Sequence, residues 1–145
     1  MTKHDPFQLE EFMPYLLNRA AETTSLEFQK TYKETYGMLR TEWRVLFHLG
    51  RYGELTAKQI CDKSDLHKTK VSRAVSALEA KRFLKRTQVP TDRRHELLSP
   101  TKQGQSAFAH LQAEAVKYNE RLMSAFTPEE QEIAKRCMKM IANLA

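Results

Sequence analysis

LTAKQICDKSDLHKTKVSRAVSALEAKRFL, residues 55–84, carries two helical patterns separated by a short break. Thr56 is followed three residues later by Gln59, a capping-box pattern in which each side chain satisfies a free backbone donor of the other. A short helix therefore starts there and closes before Leu66. Beyond KSDLHK, Val71, Val75 and Leu78 recur at spacings of 4 and 3 and fall on one face of a second helix. Its outer face is built from hydroxyls and cations, Lys68, Thr69, Lys70, Ser72, Arg73 and Ser76, with few acids near its start.

Next come FLKRTQV (83–89) and HELLS (95–99), short extended segments flanking PTDRR, with Pro90 in the loop between them. A hairpin behind a helix-turn-helix makes the arrangement a winged one. In such a lobe the second helix lies in the major groove of DNA, its apolar face on the core. Lys68, Thr69, Lys70, Ser72 and Arg73 supply donors of the kind that reach guanine O6 and N7, other base edges or phosphates. Ser76, one turn further on, is a phosphate contact or plain surface. Arg94, held out on a thin hairpin, is suited to the minor groove, where narrow A·T-rich stretches concentrate negative potential. Asp92, two residues earlier, reads as its brace: a bidentate pair keeps the guanidinium extended and lowers the entropy lost on binding.

The charge distribution agrees. The 145-residue chain has a formal net charge of +6. Residues 58–102 hold twelve Lys and Arg against five Asp and Glu, a net +7, and the rest of the chain nets −1. A localised basic field suits a polyanion partner such as double-stranded DNA. The length suits one domain with helical extensions. No apolar run reaches the ~18 residues needed to span a bilayer, and MTKHDPFQLEEF has acids where a signal peptide is apolar, so a cytoplasmic protein without a membrane partner is expected.

Helical patterns flank this block. PYLLNRAAETTSLEFQKTYKETYG begins with a first-turn proline and ends at Gly37, predicting a helix over Met13–Tyr36 preceded by an arm of Phe7, Leu9 and Phe12. In LRTEWRVLFHLGRYG, Thr41 is expected to cap a helix with an apolar face of Trp43, Leu46, Phe47 and Leu49, ended by Gly50 and Gly53. From Thr101, the positions Phe108, Leu111, Ala115, Tyr118 and Leu122 form a narrow seam on a helix of roughly 25 residues. Thr127, Pro128 and Glu130 open a last helix bearing Ile133, Cys137, Met140 and Leu144. These end stripes need cover, from a second copy of the chain or by folding back on their own domain.

Nothing in the sequence makes a catalytic constellation. The four glycines form no phosphate-cradling loop, no serine sits in a nucleophile elbow, and the five histidines show no metal-ligand spacing. Glu10 with Glu11 and Glu129 with Glu130 sit at helix starts, where acids favour the macrodipole. Cys61 and Cys137 are expected to be reduced structural thiols. No cofactor, metal or enzymatic activity is expected.

Taken together, MPYLLNRAA, LRTEWRVLFHL, LTAKQICDKSDLHKTKVSRAVSALEAKRFL and PTDRRHELLSPTKQG resemble the MarR family of bacterial transcription regulators over nearly the whole chain. The resemblance implies a mainly α fold with a small β-wing: a winged helix-turn-helix lobe (38–100) flanked by dimerisation segments at 1–37 and 101–145. It also implies a homodimer on a pseudo-palindromic operator whose DNA affinity falls when a small ligand, such as an aromatic acid or phenol, binds between the dimerisation and DNA-binding parts. A repressor is the expected role, although a winged helix represses or activates according to where its site lies. Carried over by position, the reading role falls on Lys68, Thr69, Lys70, Ser72 and Arg73. The minor-groove role falls on Arg94 with Asp92, and a phosphate contact on Arg93. An effector pocket would draw on Tyr15, Arg19, Trp43, Phe47 and His48. Two positions depart from the family pattern: Arg82, often a glycine, and Pro100, often a leucine. The reactive cysteine that oxidation-sensing members carry near the start of the first helix is absent. The rival reading is a helical protein-interaction module whose winged fold does not bind DNA.

Overall fold

Pro14 at the first turn and Gly37 in the left-handed conformation (φ 65°) delimit α1, Met13–Tyr36, in the computed structural model of the chain. Residues 6–144 are described, with the backbone alone at Arg93 and Arg94. A 3-10 turn, Leu9–Glu11, precedes α1. Then follow α2 (Arg40–Tyr52), α3 (Ala57–Ser64), α4 (Lys68–Ala80), β1 (Leu84–Val89), β2 (Asp92–Pro100), α5 (Lys102–Met123) and α6 (Pro128–Ile141). Two compact units result, one reaching Leu111 and the other starting at Gln112, and α5 runs through the boundary.

The core of the first unit is made by the faces that the periodicity marks out. Val71, Val75 and Leu78 of α4 are buried together with Val45, Leu46 and Leu49 of α2, Ile60 of α3, and Leu84 and Leu98 of the wing strands. Tyr32 from α1 and Ala107 and Leu111 from α5 join the same cluster. Each fully buried side chain of this kind contributes ~1.5–3 kcal/mol, which fixes the angular setting of α4 and leaves its polar face outward. The Thr56 capping box is formed: Thr56 Oγ1 accepts from Gln59 N–H at 3.2 Å, and Gln59 Oε1 accepts from Thr56 N–H at 2.9 Å.

Three local expectations are corrected. Thr41 does not cap α2; the helix begins at Arg40 behind Leu39, with no side-chain cap. At its first residue the Arg40 guanidinium donates to both carboxylate oxygens of Glu22 on α1, at 3.1 and 3.2 Å. Gly50 does not end α2, which runs on to Tyr52 with Gly53 as its cap. A side chain at Gly50 would meet the Phe108 ring, with its Cβ 2.3 Å from Phe108 Cγ, so this glycine serves helix packing. Finally, the second wing strand starts at Asp92, so residues 92–94 belong to β2 and the turn itself is only Pro90 and Thr91.

The two strands form an antiparallel ladder from Leu84↔Pro100 to Gln88↔Glu96, after which Val89 faces Asp92. Residues 93–95 of β2 therefore have no opposite number in β1, a bulge that bends the strand. Leu55 adds an isolated bridge, exchanging both backbone hydrogen bonds with Leu98 at 2.8 and 3.0 Å. Arg82, at the family's glycine position, is left-handed (φ 67°) and forms a Schellman ending to α4: its N–H donates to Glu79 O, and Phe83 N–H donates to Leu78 O. Thr101 then clasps the junction, its hydroxyl donating to Arg82 O at 2.7 Å and accepting from Gly104 N–H at 3.0 Å.

In the second unit, Thr127 and Glu130 form the predicted capping box of α6, and Gln131 Nε2 donates to the carbonyls of Met123 and Phe126 across the preceding turn. Ile133, Met138, Met140 and Ile141 of α6 are exposed in the single chain. Leu144 lies beyond the helix end.

Candidate nucleic-acid interface

The turn before α4 is held from several sides. Asp65 caps α3 in the left-handed conformation, with its N–H donating to Cys61 O. Ser64 Oγ donates to Ile60 O and accepts from Leu66 N–H, while Arg44 Nη2 donates to Ser64 O at 3.0 Å. His67 takes the N-cap position of α4, its Nδ1 accepting from Thr69 N–H at 3.2 Å. Sequence reasoning passed over this residue because histidine is not among the usual caps.

On the helix so positioned, Lys68, Thr69, Lys70, Ser72 and Arg73 are all exposed, and the first turn holds no acid. Val71, Ala74, Val75 and Leu78 are buried behind them. The five residues expected to read DNA thus occupy one outward surface. Ser76 is drawn elsewhere: it accepts from Arg86 Nη2 at 3.3 Å.

Arg86 of β1 is the fastening between wing and helix. Its guanidinium donates to Glu79 of α4 and Glu96 of β2, both at 3.1 Å, and the bond to Glu96 is the main cause holding it above the ordinary arginine value. One cation of the basic block is therefore consumed internally. Lys81 is another: its ammonium donates to the buried carboxylate of Glu42 and, at 2.7 Å, to Gly37 O. Neither network was legible from sequence spacing.

At the wing, Asp92 Oδ2 stands 3.5 Å from His95 Nε2. The side chains of Arg93 and Arg94 lie outside the described residues, so the bracing of Arg94 by Asp92 stays an expectation. A concavity of about 420 Å³ lies between α3, α4 and β1, bordered by Lys58, Cys61, Lys68, Ser72 and Arg86.

The residues expected at an effector site are not gathered in one place. A cavity of about 350 Å³ lies between α1 and α2, walled by Phe28, Tyr32 and Trp43, with Arg40, Arg44 and Glu22 at its edge. Of the five candidates only Trp43 lines it. Phe47 contacts the rings of Trp43 and Phe108, and His48 Nδ1 donates to Arg44 O while its ring stacks on Tyr52. Tyr15 is half-buried and Arg19 exposed, both earlier on α1. Burial raises the Tyr32 phenol above its ordinary value, and the Arg40 hydrogen bond lowers the Glu22 carboxyl. Among the described residues, no cluster of three or more His, Cys, Asp or Glu could hold a metal ion, and no helix is long and apolar enough to cross a membrane.

Residues 36–95, from the end of α1 into the wing, match the sequence model of the MarR family. YwoH of Bacillus subtilis, an uncharacterized HTH-type transcriptional regulator, is 26% identical over 107 residues, covering 74% of this chain and 77% of its own. Two solved structures share the fold. BpsR of Bordetella bronchiseptica, whose DNA binding is regulated by 6-hydroxynicotinic acid, matches with a TM-score of 0.85 at 20% identity, over 95% of this chain and 98% of that one. PcaV of Streptomyces coelicolor, in complex with its natural ligand, matches with a TM-score of 0.83 at 19% identity, over 96% and 97% of the two chains. The matched segment holds the helix-turn-helix, the first wing strand and the outward cationic helix α4, and together these support a MarR-family winged helix-turn-helix regulator.

Proposed function

We propose that the chain works in the cytoplasm as a homodimeric repressor that reads a pseudo-palindromic operator and leaves it when a small aromatic acid or phenol binds. The observation that carries the reading is α4: an acid-free, exposed first turn of Lys68, Thr69 and Lys70, with Ser72 and Arg73 beyond it, backed by a fully buried apolar face. In the docked state these five side chains meet base edges and phosphates, Arg93 a phosphate, and Arg94, steadied by Asp92, the minor groove.

Residues 1–37 and 101–145 serve dimerisation, and 38–100 form the DNA-binding lobe. Exposed Leu16 on α1, Val116 on α5 and Ile133 and Met140 on α6 support this, because apolar side chains left open in one chain suit burial between two. Two reading helices related by a two-fold axis then meet major grooves ~34 Å apart. The α1–α2 cavity, with three aromatic walls and Arg40 and Arg44 at its edge, supports an anionic planar effector, as do the regulation of BpsR by 6-hydroxynicotinic acid and the complex of PcaV with its natural ligand.

The test is selection of bound sequences from a random duplex pool, followed by anisotropy titrations at several salt concentrations. The expected result is an inverted repeat, a steep salt slope, and a loss of ~1–3 kcal/mol per contact for Arg94→Ala, with Lys70→Ala relaxing sequence choice where it reads a base. No enrichment, and binding indifferent to salt and to Arg94, would overturn the reading and favour a protein-interaction module.

A further inference from the structure

His67 stands immediately before α4 in a position that serine, threonine, aspartate and asparagine usually fill. Its Nδ1 accepts a hydrogen bond from Thr69 N–H. Because Nδ1 accepts in this bond, Nε2 is the ring nitrogen left to donate. The cap bond thus fixes both the plane of the ring and the position of its one remaining donor. The side chain is exposed, and among the described residues Nε2–H has no acceptor. Exposed Lys68, Thr69 and Lys70 adjoin it, and the positive end of the α4 macrodipole lies beneath it.

We infer that His67 is a further DNA contact, its Nε2–H donating as an uncharged group to a backbone phosphate oxygen beside the start of the reading helix. This rests on the DNA-binding role of α4. Because the cap orients the ring before DNA arrives, little rotamer freedom is lost on binding. The chemistry differs from that of the neighbouring lysines. A lysine that neutralises a phosphate displaces a condensed counterion and weakens as salt rises, whereas a neutral imidazole displaces none. His67 therefore supplies affinity that survives high salt, and supplies it equally on every sequence, since phosphates carry no base identity.

The test uses the full chain, a duplex selected from a random pool, and a mixed-sequence duplex of equal length, titrated by anisotropy over a salt series at pH ~7.5 or above, past the ordinary imidazole range. His67→Ser keeps an N-cap and removes the ring donor. The expected outcome is an unchanged melting temperature, binding to both duplexes about tenfold weaker, and an unaltered slope of log affinity against log salt. Lys70→Ala in parallel lowers the slope by ~0.9 if it meets a phosphate. Wild-type affinity in His67→Ser overturns the inference. So does a slope reduced by about one, which would make the ring a cation, or a loss confined to the selected duplex, which would make it a base contact. Failure of the wild type to bind either duplex overturns the regulator reading and this inference together, and is recognised without any variant.

Discussion

Lys81→Met is expected to destabilise the first unit through a charge it leaves behind. Lys81 Nζ contacts Glu42 Oε1 and Gly37 O, and the Glu42 side chain is only 3% exposed while that of Lys81 is 35% exposed. Removing one partner of a fully buried pair costs about 3–5 kcal/mol, because the remaining charge is stranded in a low-dielectric setting. Water reaches the Lys81 end of this pair, so about half of that, roughly 2 kcal/mol, is expected. At ~2–4 °C per kcal/mol for a chain of this size, the thermal midpoint falls by roughly 6 °C. Urea unfolding followed by fluorescence of Trp43, the single tryptophan, reports on this unit directly. The decisive comparison is the double variant Glu42→Met with Lys81→Met, which removes both charges and is expected to return to within ~1 kcal/mol of wild type. A Lys81→Met protein within ~0.5 kcal/mol of wild type, or a double variant no more stable than the single, would refute the reasoning.

Arg82→Gly is expected to stabilise by about 0.5–1 kcal/mol. Relief of a left-handed side-chain-bearing residue outweighs the freedom that glycine adds to the unfolded chain, and the denaturation midpoint rises at constant m-value. Gly104→Ala is expected to cost about 3 kcal/mol, because the new Cβ would lie 1.9 Å from the backbone oxygen of Phe83. Gly50→Ala meets the Phe108 ring, which can turn aside, so unfolding measurements should place it well below Gly104→Ala. The Glu22 carboxyl is held below its ordinary 4.5, chiefly by its hydrogen bond from Arg40. Its contribution is therefore complete above that value and is lost as pH falls through the lowered folded value; Glu22→Gln should flatten that part of the acid limb in urea midpoints measured from pH ~5 to ~2.

Features set by neighbours in sequence were legible. The Thr56 and Thr127 capping boxes, the Gly37 stop and the buried face of α4 each depend on residues within one or two turns, where side-chain type dictates the local hydrogen bond. What escaped depends on distance along the chain. Glu42 and Lys81 are 39 positions apart, and nothing local in either marks it as a partner of the other. The start of α2 was misplaced at Thr41 because a threonine is a common cap; the helix begins at Arg40 behind Leu39 without a side-chain cap, and the Arg40 partner, Glu22, lies 18 residues earlier. The cavity between α1 and α2 is lined by Trp43 but not by Tyr15 or Arg19; its walls come from Phe28 and Tyr32, further along α1. The family resemblance marked Arg82 as out of pattern, and the structure places it in the left-handed conformation that favours glycine.

The wing is closed at its stem and open in register at its tip. Leu84 to Gln88 are paired, Leu55 is bridged to Leu98, and Arg86 ties the stem to α4, all below the point where residues 93–95 leave the ladder. Lengthening or shortening the tip by a residue shifts no pair beneath it and exposes none of the core. The reach of this finger is thus set independently of the stem pairs and of the core beneath them.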